Sequence, residues 1–369
     1  MSIRNNSVDT WKGIAIIAVI GIHATSSANL FSPDNSNYWT GLLFRSILNF
    51  AVALFFAFSG YFATSADKIW GQGLFKHYYY RLSQLWIPYV LWTGVYLLLH
   101  NRAALFDYKQ IAKALFLGTG IGIGYFVIVL SSLIVLHPLL RTLTKNALLA
   151  LGSIVTAVSL VILYFIKIEY HGNRYADFPY TALPFTTWML FYYLGYYMKS
   201  ARIELSNNIL LSLICISFVL NLAESILITV YIAIPSLAVS QVKFTTFFYS
   251  VCVILFALRF GAGRLDTIQF FAWAGRRSYM LYLCHLLFLG VIGGVLDRSS
   301  FLHNLQILHI PISIALTLFA ASTCIAIAEV LLPSQLFYFI SGFKKEANKT
   351  RLDNPLPAPC RTGTHDYNP

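Results

Sequence analysis

Residues 11–29 read WKGIAIIAVIGIHATSSAN. A helix advances about 1.5 Å per residue, so about 20 mostly apolar residues cross a hydrocarbon core roughly 30 Å thick. This stretch has that length, with Lys12 at its start and one ionisable group, His23, past its middle. Nine further stretches have the same character: 42–63, 84–100, 119–140, 147–166, 180–198, 208–231, 244–260, 278–296 and 311–332. The third and eighth are the shortest. Blocks of about ten residues alternating apolar and polar, the mark of a membrane β-barrel, do not occur. The sequence predicts an all-α polytopic membrane protein of about ten transmembrane helices.

Composition agrees. Hydrophobic residues make up 58% of the 369-residue chain and charged residues 11%, with a mean hydropathy of +0.68. Soluble domains carry roughly 25% charged residues, so this chain cannot clothe a water-facing surface. The net charge of +12 would suggest nucleic acid in a soluble protein. Here the cations sit in short loops, where they set orientation or meet anionic lipids and substrates. No basic-aromatic stretch is long enough for a nucleic-acid module.

Ten spans place both termini on one side. Of the 26 Lys and Arg, 18 fall on that side, 7 on the other, and Arg45 lies within a span. The excess marks both termini as cytoplasmic. The first span contains His23 and is followed by another long apolar run, so it reads as a retained helix, not a signal peptide. The five cysteines show no metal-ligand spacing and imply no structural disulfide. No metal site is expected. Residues 1–342 read as a single transmembrane domain, and 343–369 as a polar tail expected to be disordered. No outside loop is long enough for an extracytoplasmic domain.

Ionisable groups within spans cost about 2.5–3.5 kcal/mol each on insertion scales, which makes them candidates for function. They are His23, Arg45, Glu224, His285 and Glu329, with Lys12 and Arg81 at the inner ends. Lys12 and His23 are eleven residues apart, which on a helix is within about 20° of whole turns. They share one face, roughly 16 Å apart along the axis. A lone histidine can simply bond a neighbouring helix. A surface cation and a mid-depth base on one face suit an elongated anionic cofactor. Ser278 and His285, seven apart, also share a face. Ser59-Gly60 suits a helix contact. Arg45, at the outer end of its span, can reach the interface as a snorkelling cation, and Glu224 is a possible partner or substrate-facing acid. Glu329 is expected to reach the inner interface without a role. The run Lys76-His77-Tyr78-Tyr79-Tyr80-Arg81 reads as an interfacial anchor or a phosphate clamp. No P-loop, dinucleotide fingerprint, metal-binding histidine pair or nucleophile elbow is present.

Four patches together resemble the membrane acyltransferase-3 family of bacterial O-acyltransferases. Asp9-Thr10-Trp11-Lys12-Gly13, with His23 after ten intervening residues, resembles its basic-x10-His signature. Phe55-Phe56-Ala57-Phe58-Ser59-Gly60-Tyr61 resembles its phenylalanine-rich Ser-Gly end of the second span. Arg81 with Pro88 resembles its basic motif, and Ser278-Tyr279-Met280-Leu281-Tyr282-Leu283-Cys284-His285 its late Ser…Tyr-x-x-His motif. Gln84 stands where the second arginine of an Arg-x-x-Arg pair is expected, with Lys76 or Lys12 as possible compensation. Tyr125-Phe126-Val127 replaces a Trp-Phe-Leu patch.

The resemblance implies an enzyme of the bacterial inner membrane that moves an acyl group, most simply acetyl, from cytoplasmic acyl-CoA. The acceptor would be a hydroxyl of a cell-surface polysaccharide or lipid-linked glycan. A hydroxyl attacks poorly until a base takes its proton, and histidine titrates in the right range. His23 is the expected base. Direct attack on the thioester and transient acylation of His23 both remain open. Lys12 and Arg81 are expected at the coenzyme A phosphates. His285, Ser278, Tyr282 and Ser59 are candidates to orient His23 or steady an oxyanion, and Arg45 and Glu224 are candidates on the acceptor side. The rival readings are a glycan transporter or exporter and a structural subunit of a polysaccharide-synthesis complex. Against the first stands the absence of an inverted repeat.

Overall fold

The computed structural model describes residues 6–201, 204–260 and 269–343. The expected polar tail therefore falls, all but its first residue, outside the described residues. Among those described there is no β-strand. The principal helices are α1 (Asn6–Ala24), α2 (Ser36–Leu48), α3 (Ala51–Tyr61), α4 (Leu74–His100), α5 (Tyr125–Leu139), α6 (Lys145–Glu169), α7 (Met189–Met198), α8 (Asn207–Leu227), α9 (Phe244–Phe260), α10 (Gln269–Arg276), α11 (Ser278–Leu296) and α12 (Gln306–Leu331). Shorter helices lie in the connections, and the helical segment Ser334–Ser341 follows α12.

Among the described residues, seven segments are long and apolar enough to cross a membrane: Ser7–Leu30, Ser36–Tyr61, Leu74–His100, Lys145–Glu169, Asn207–Ile232, Ser278–Leu296 and Gln306–Leu331. Two shorter apolar helices, Tyr125–Leu139 and Phe244–Arg259, stand beside them, and α7 is shorter still. The chain is a multi-pass membrane protein. Several boundaries differ from the hydropathy reading. The third stretch is a 27-residue helix, because its first turns are polar and aromatic and a hydropathy window discounts them. The fourth begins at Tyr125, since residues 117–124 form glycine-rich turns with Gly118 and Gly122 at positive φ. The sixth is helical only from Phe185, after Pro184.

Local chemistry explains several ends. Asn35, Thr144 and Ser206 accept backbone N–H groups at the starts of α2, α6 and α8, satisfying donors that a helix start leaves unpaired. Pro88 inside α4 cannot donate to the Gln84 carbonyl. The C-terminal segment docks at that defect: Trp92 Nε1 donates to the Ile340 carbonyl at 3.0 Å, and Gly342, at φ +75°, lies against Gln84 and Pro88.

The first two spans are the most enclosed of the seven, whereas α4, α6 and α8 present most of their surface outward. Ile154, Val158, Val161, Phe165 and Val219 are each more than half exposed. A lipid-facing helix needs such residues; a soluble domain rarely gathers them.

Two pairs of glycines lock the enclosed helices. A Cβ on Gly13 would lie 2.0 Å from the Phe271 carbonyl oxygen, and one on Gly275 1.7 Å from that of Asp9, so α1 and α10 touch backbone to backbone. A Cβ on Gly60 would lie 1.8 Å from the Tyr192 oxygen, and one on Gly195 1.8 Å from that of Ala57, which joins α3 to α7 in the same way. Small residues permit this approach where lipid offers no hydrophobic drive between helices. Gly60→Ala gains up to about 1 kcal/mol of helix propensity but forces two backbones apart, at about 1–3 kcal/mol or more. It is expected to lower the thermal midpoint of the purified protein in detergent. Gly290→Ala on α11, where a Cβ meets nothing within 4 Å, is expected to leave the midpoint unchanged or raise it.

Candidate functional site

A cavity of about 400 Å³ opens among α1, α3, α4, α5, α7 and α11. Its walls are largely apolar, with Val19, Phe55, Phe58, Phe126 and Leu130 among them. Its polar lining gathers residues from distant parts of the chain: Lys12, Ser59, His77, Arg81, Gln84, His137, Ser278 and Tyr282. Five residues singled out in the sequence thus meet in one space: Lys12, Arg81, Ser59, Ser278 and Tyr282. The glycine pairs explain the convergence. Gly13 follows Lys12 and Gly60 follows Ser59, so the backbone crossings hold both walls in register.

Cations collect at this end. Lys12 lies 3.9 Å from Asp9 and 4.7 Å from the centroid of the Phe62 ring. Arg81 and Gln84 stand one turn apart on α4. Lys199, just past α7, donates to the Ala63 carbonyl at 2.9 Å, and Ala63 lines the cavity. Burial, then the neighbouring cations Lys145, Arg81 and Lys68, push the Lys199 ammonium below its ordinary pKa. Crowded like charges of this kind are relieved by an anionic ligand.

His137 was not among the sequence candidates, His77 stood only within the run read as an anchor or phosphate clamp, and Lys76 is not part of the lining. The signal for His137 was present: an imidazole within an otherwise apolar helix, before Pro138. Its Nε2 lies 3.0 Å from the Thr64 carbonyl, and its ring meets that of Tyr196 at 4.6 Å between centroids.

His23 lies beyond the end of the cavity opposite Lys12. The cavity follows α1 from Lys12 to Val19, and His23 is one helical turn further. It packs against His285 of α11, with ring centroids 5.4 Å apart. Tyr282 stands between the cavity and this pair. Its ring lies 5.3 Å from Phe126 and 6.2 Å from His285, and its hydroxyl donates to the Ile123 carbonyl.

His285 is fully buried. Its Nδ1 lies 2.8 Å from the Tyr282 carbonyl and 3.1 Å from that of Leu281. Carbonyls only accept, so Nδ1 carries the hydrogen, and Nε2 keeps its lone pair in a neutral ring. That Nε2 is buried and has no hydrogen-bond partner among the described residues. It is therefore an acceptor available to the neighbouring imidazole, able to hold one nitrogen of His23 protonated and leave the other basic.

The remaining candidates divide. The Ser59 hydroxyl donates back to the Phe55 carbonyl at 2.9 Å, so it lines the cavity with its proton occupied. Arg45 does not snorkel outward: its Nη1 donates to the Ile22 carbonyl at 2.7 Å, because the α2–α3 span packs on α1 there. Glu224 does not pair with Arg45. It accepts from the Tyr164 hydroxyl and the Thr245 hydroxyl, and from the Thr245 N–H at 3.1 Å. Lys243, fully buried, is within electrostatic range of Glu224 and donates to Ser225.

Glu329 is a correction of another kind, since it stays inside the protein. It accepts Arg277 Nε and Nη2, both at 2.8 Å, with a further contact at 2.6 Å. Arg277 also stacks on Trp273, 4.7 Å from the ring centroid. This fork fastens α12 to the start of α11, the helix that carries Ser278, Tyr282 and His285. Glu329→Gln strands a buried guanidinium and is expected to cost about 3–5 kcal/mol of stability, seen as a lower thermal midpoint. Adding Arg277→Met to that variant is expected to restore much of the loss.

Comparison with known proteins bears on this arrangement. No curated protein and no solved structure matches the chain. The family profile of an acyltransferase domain, that of acyltransferase-3, matches residues 5–328 and so takes in every helix from α1 to most of α12. A multi-pass chain with a cation-ringed cavity leading toward a histidine pair therefore belongs to the acyltransferase-3 family, and it is a membrane acyltransferase.

Proposed function

We propose that the protein is an O-acyltransferase, most simply an O-acetyltransferase, of a bacterial cytoplasmic membrane. It takes the acyl group from acyl-CoA and delivers it to a hydroxyl of a surface polysaccharide or lipid-linked glycan. One observation carries the reading: the cavity runs along α1 from Lys12 and Arg81 to within a turn of His23. An acyl thioester on a long phosphorylated arm has the matching order of parts. Its phosphates meet cations at one end and its reactive carbonyl reaches a base at the other.

In this reading Lys12 and Arg81 hold the phosphates, with Arg81 supplying a planar fork of donors. Gln84 contributes no charge, and the nearby Lys199 makes up part of the field. The apolar walls take the pantetheine arm and exclude water. His23 removes the proton of the attacking hydroxyl, and His285 Nε2 orients it by accepting from its other nitrogen. General-base help of this kind contributes about 10²–10⁴-fold in rate. The thiolate leaves and takes up the proton. In the covalent variant, His23 itself carries the acyl group between the two half-reactions. Ser278 and Tyr282 lie where the arm passes.

Mass spectrometry of surface glycans is expected to show a mass increment of one acyl group in wild-type cells. That increment disappears on deletion of the protein and in a His23→Ala strain whose membrane protein level is unchanged. Normal acylation in His23→Ala would overturn the role of His23. Unchanged acylation with altered glycan amount or location would favour export or assembly. With purified protein, Arg81→Ala is expected to raise the KM for acetyl-CoA by about tenfold or more, the loss of a charge-assisted phosphate contact, with kcat changed less than about threefold.

A further inference from the structure

Arg45 is a permanently charged group at an unusual address. It is the tenth residue of the 26-residue segment Ser36–Tyr61, well inside a span. Its Nη1 donates to the Ile22 carbonyl at 2.7 Å and lies 3.5 Å from Thr25 Oγ1. These two residues bracket His23 along α1. The Ile22 carbonyl belongs to the peptide that joins Ile22 to His23, so the guanidinium is pinned against α1 at the central histidine.

Nothing among the described residues neutralises this cation. No carboxylate forms an ion pair with it, Glu224 being engaged by Tyr164 and Thr245. Lys243, a charged group within electrostatic range, is another cation. Among the described residues the buried Nε of Arg45 has no hydrogen-bond partner. A guanidinium cannot shed its proton to relieve burial, and an uncompensated cation within a span is costly. Such a cost is tolerated where negative charge arrives during function.

We propose that Arg45 is a catalytic residue that stabilises the oxyanion formed when the acyl carbonyl is attacked beside His23. The inference rests on the acyl-transfer reading given above. In the step itself, His23 takes the hydroxyl proton and the hydroxyl oxygen bonds to the thioester carbonyl carbon. The carbonyl π pair moves onto oxygen, next to the Arg45 guanidinium. The pair returns, the carbon–sulfur bond breaks, and the thiolate receives the proton from His23, leaving an ester and a free thiol. If His23 is the attacking atom, the same oxyanion forms at the same place. A fixed cation there lowers the barrier without reorganising, and groups of this class are worth about 10²–10³-fold in kcat.

The test uses full-length purified protein in lipid nanodiscs. Acetyl-CoA is the donor, and a glycolipid extract from deletion cells is the acceptor source. Extract-dependent thiol release by the wild type tests the acyl-transfer reading, and its absence would overturn that reading and this proposal together. With the wild type active, Arg45→Ala is expected to lower kcat about 10²–10³-fold, leave KM for acetyl-CoA within about twofold, and regain part of kcat in added guanidinium. Arg45→Lys, which keeps the charge but not the fork, is expected to fall between. Three results would overturn the proposal while leaving acyl transfer standing: an unchanged kcat in Arg45→Ala, a higher KM at unchanged kcat, or a lost rate that follows lost folded protein and does not return with guanidinium.

Discussion

Two backbone-to-backbone contacts set the geometry on which the site depends. Where Gly13 meets Gly275 and Gly60 meets Gly195, no side chain separates the helices, and carbonyl oxygens occupy the space a Cβ would need. In lipid, helices gain nothing from burying apolar surface against one another, so close packing has to supply the association. The consequence is local and chemical. Lys12 and Ser59 are the residues just before two of these glycines, and Tyr192, which lines the cavity, supplies one of the contacting carbonyls. The architecture of the cavity and the chemistry of its lining are fixed by the same crossings.

Around those crossings polar groups are rationed and ordered. Cations gather where the cavity begins, imidazoles and tyrosines lie further in, and a guanidinium sits against the Ile22 carbonyl. Several buried polar groups are held by defined partners: Tyr282 by Ile123, Glu224 by Tyr164 and Thr245, Arg277 by Glu329. Other buried polar atoms have no hydrogen-bond partner among the described residues, His285 Nε2 and Arg45 Nε among them. In an apolar medium an unmet hydrogen-bonding atom is expensive, and these two belong to residues beside His23.

The sequence made the helical fold and the α1 axis legible because both rest on local rules. Hydropathy reports what lipid requires, and a fixed rise and rotation per residue put Lys12 and His23 on one face without knowledge of any neighbour. The late Ser278-to-His285 register was legible for the same reason. What was not legible depended on the third dimension. Whether Arg45 reaches outward or inward turns on how α2 and α3 lie on α1, and nothing near residue 45 records it. The partners of Glu224 and Glu329 come from other helices. The long α4 was underestimated because its first turns are polar. The entry of His137 into the cavity depends on how α5 lies among the other helices, which its own stretch does not record.

The account centres on one geometric claim, that the α1 cavity carries an acyl thioester from Lys12 and Arg81 to the His23–His285 pair. The most direct measurement is an electron cryomicroscopy structure of the protein with a non-hydrolysable thioether analogue of acetyl-CoA. The account predicts phosphate density between Lys12 and Arg81, the pantetheine arm between Phe58 and Phe126, Tyr282 displaced to let it pass, and the acyl end at His23. An analogue bound elsewhere, or one whose acyl end points away from His23, would contradict it.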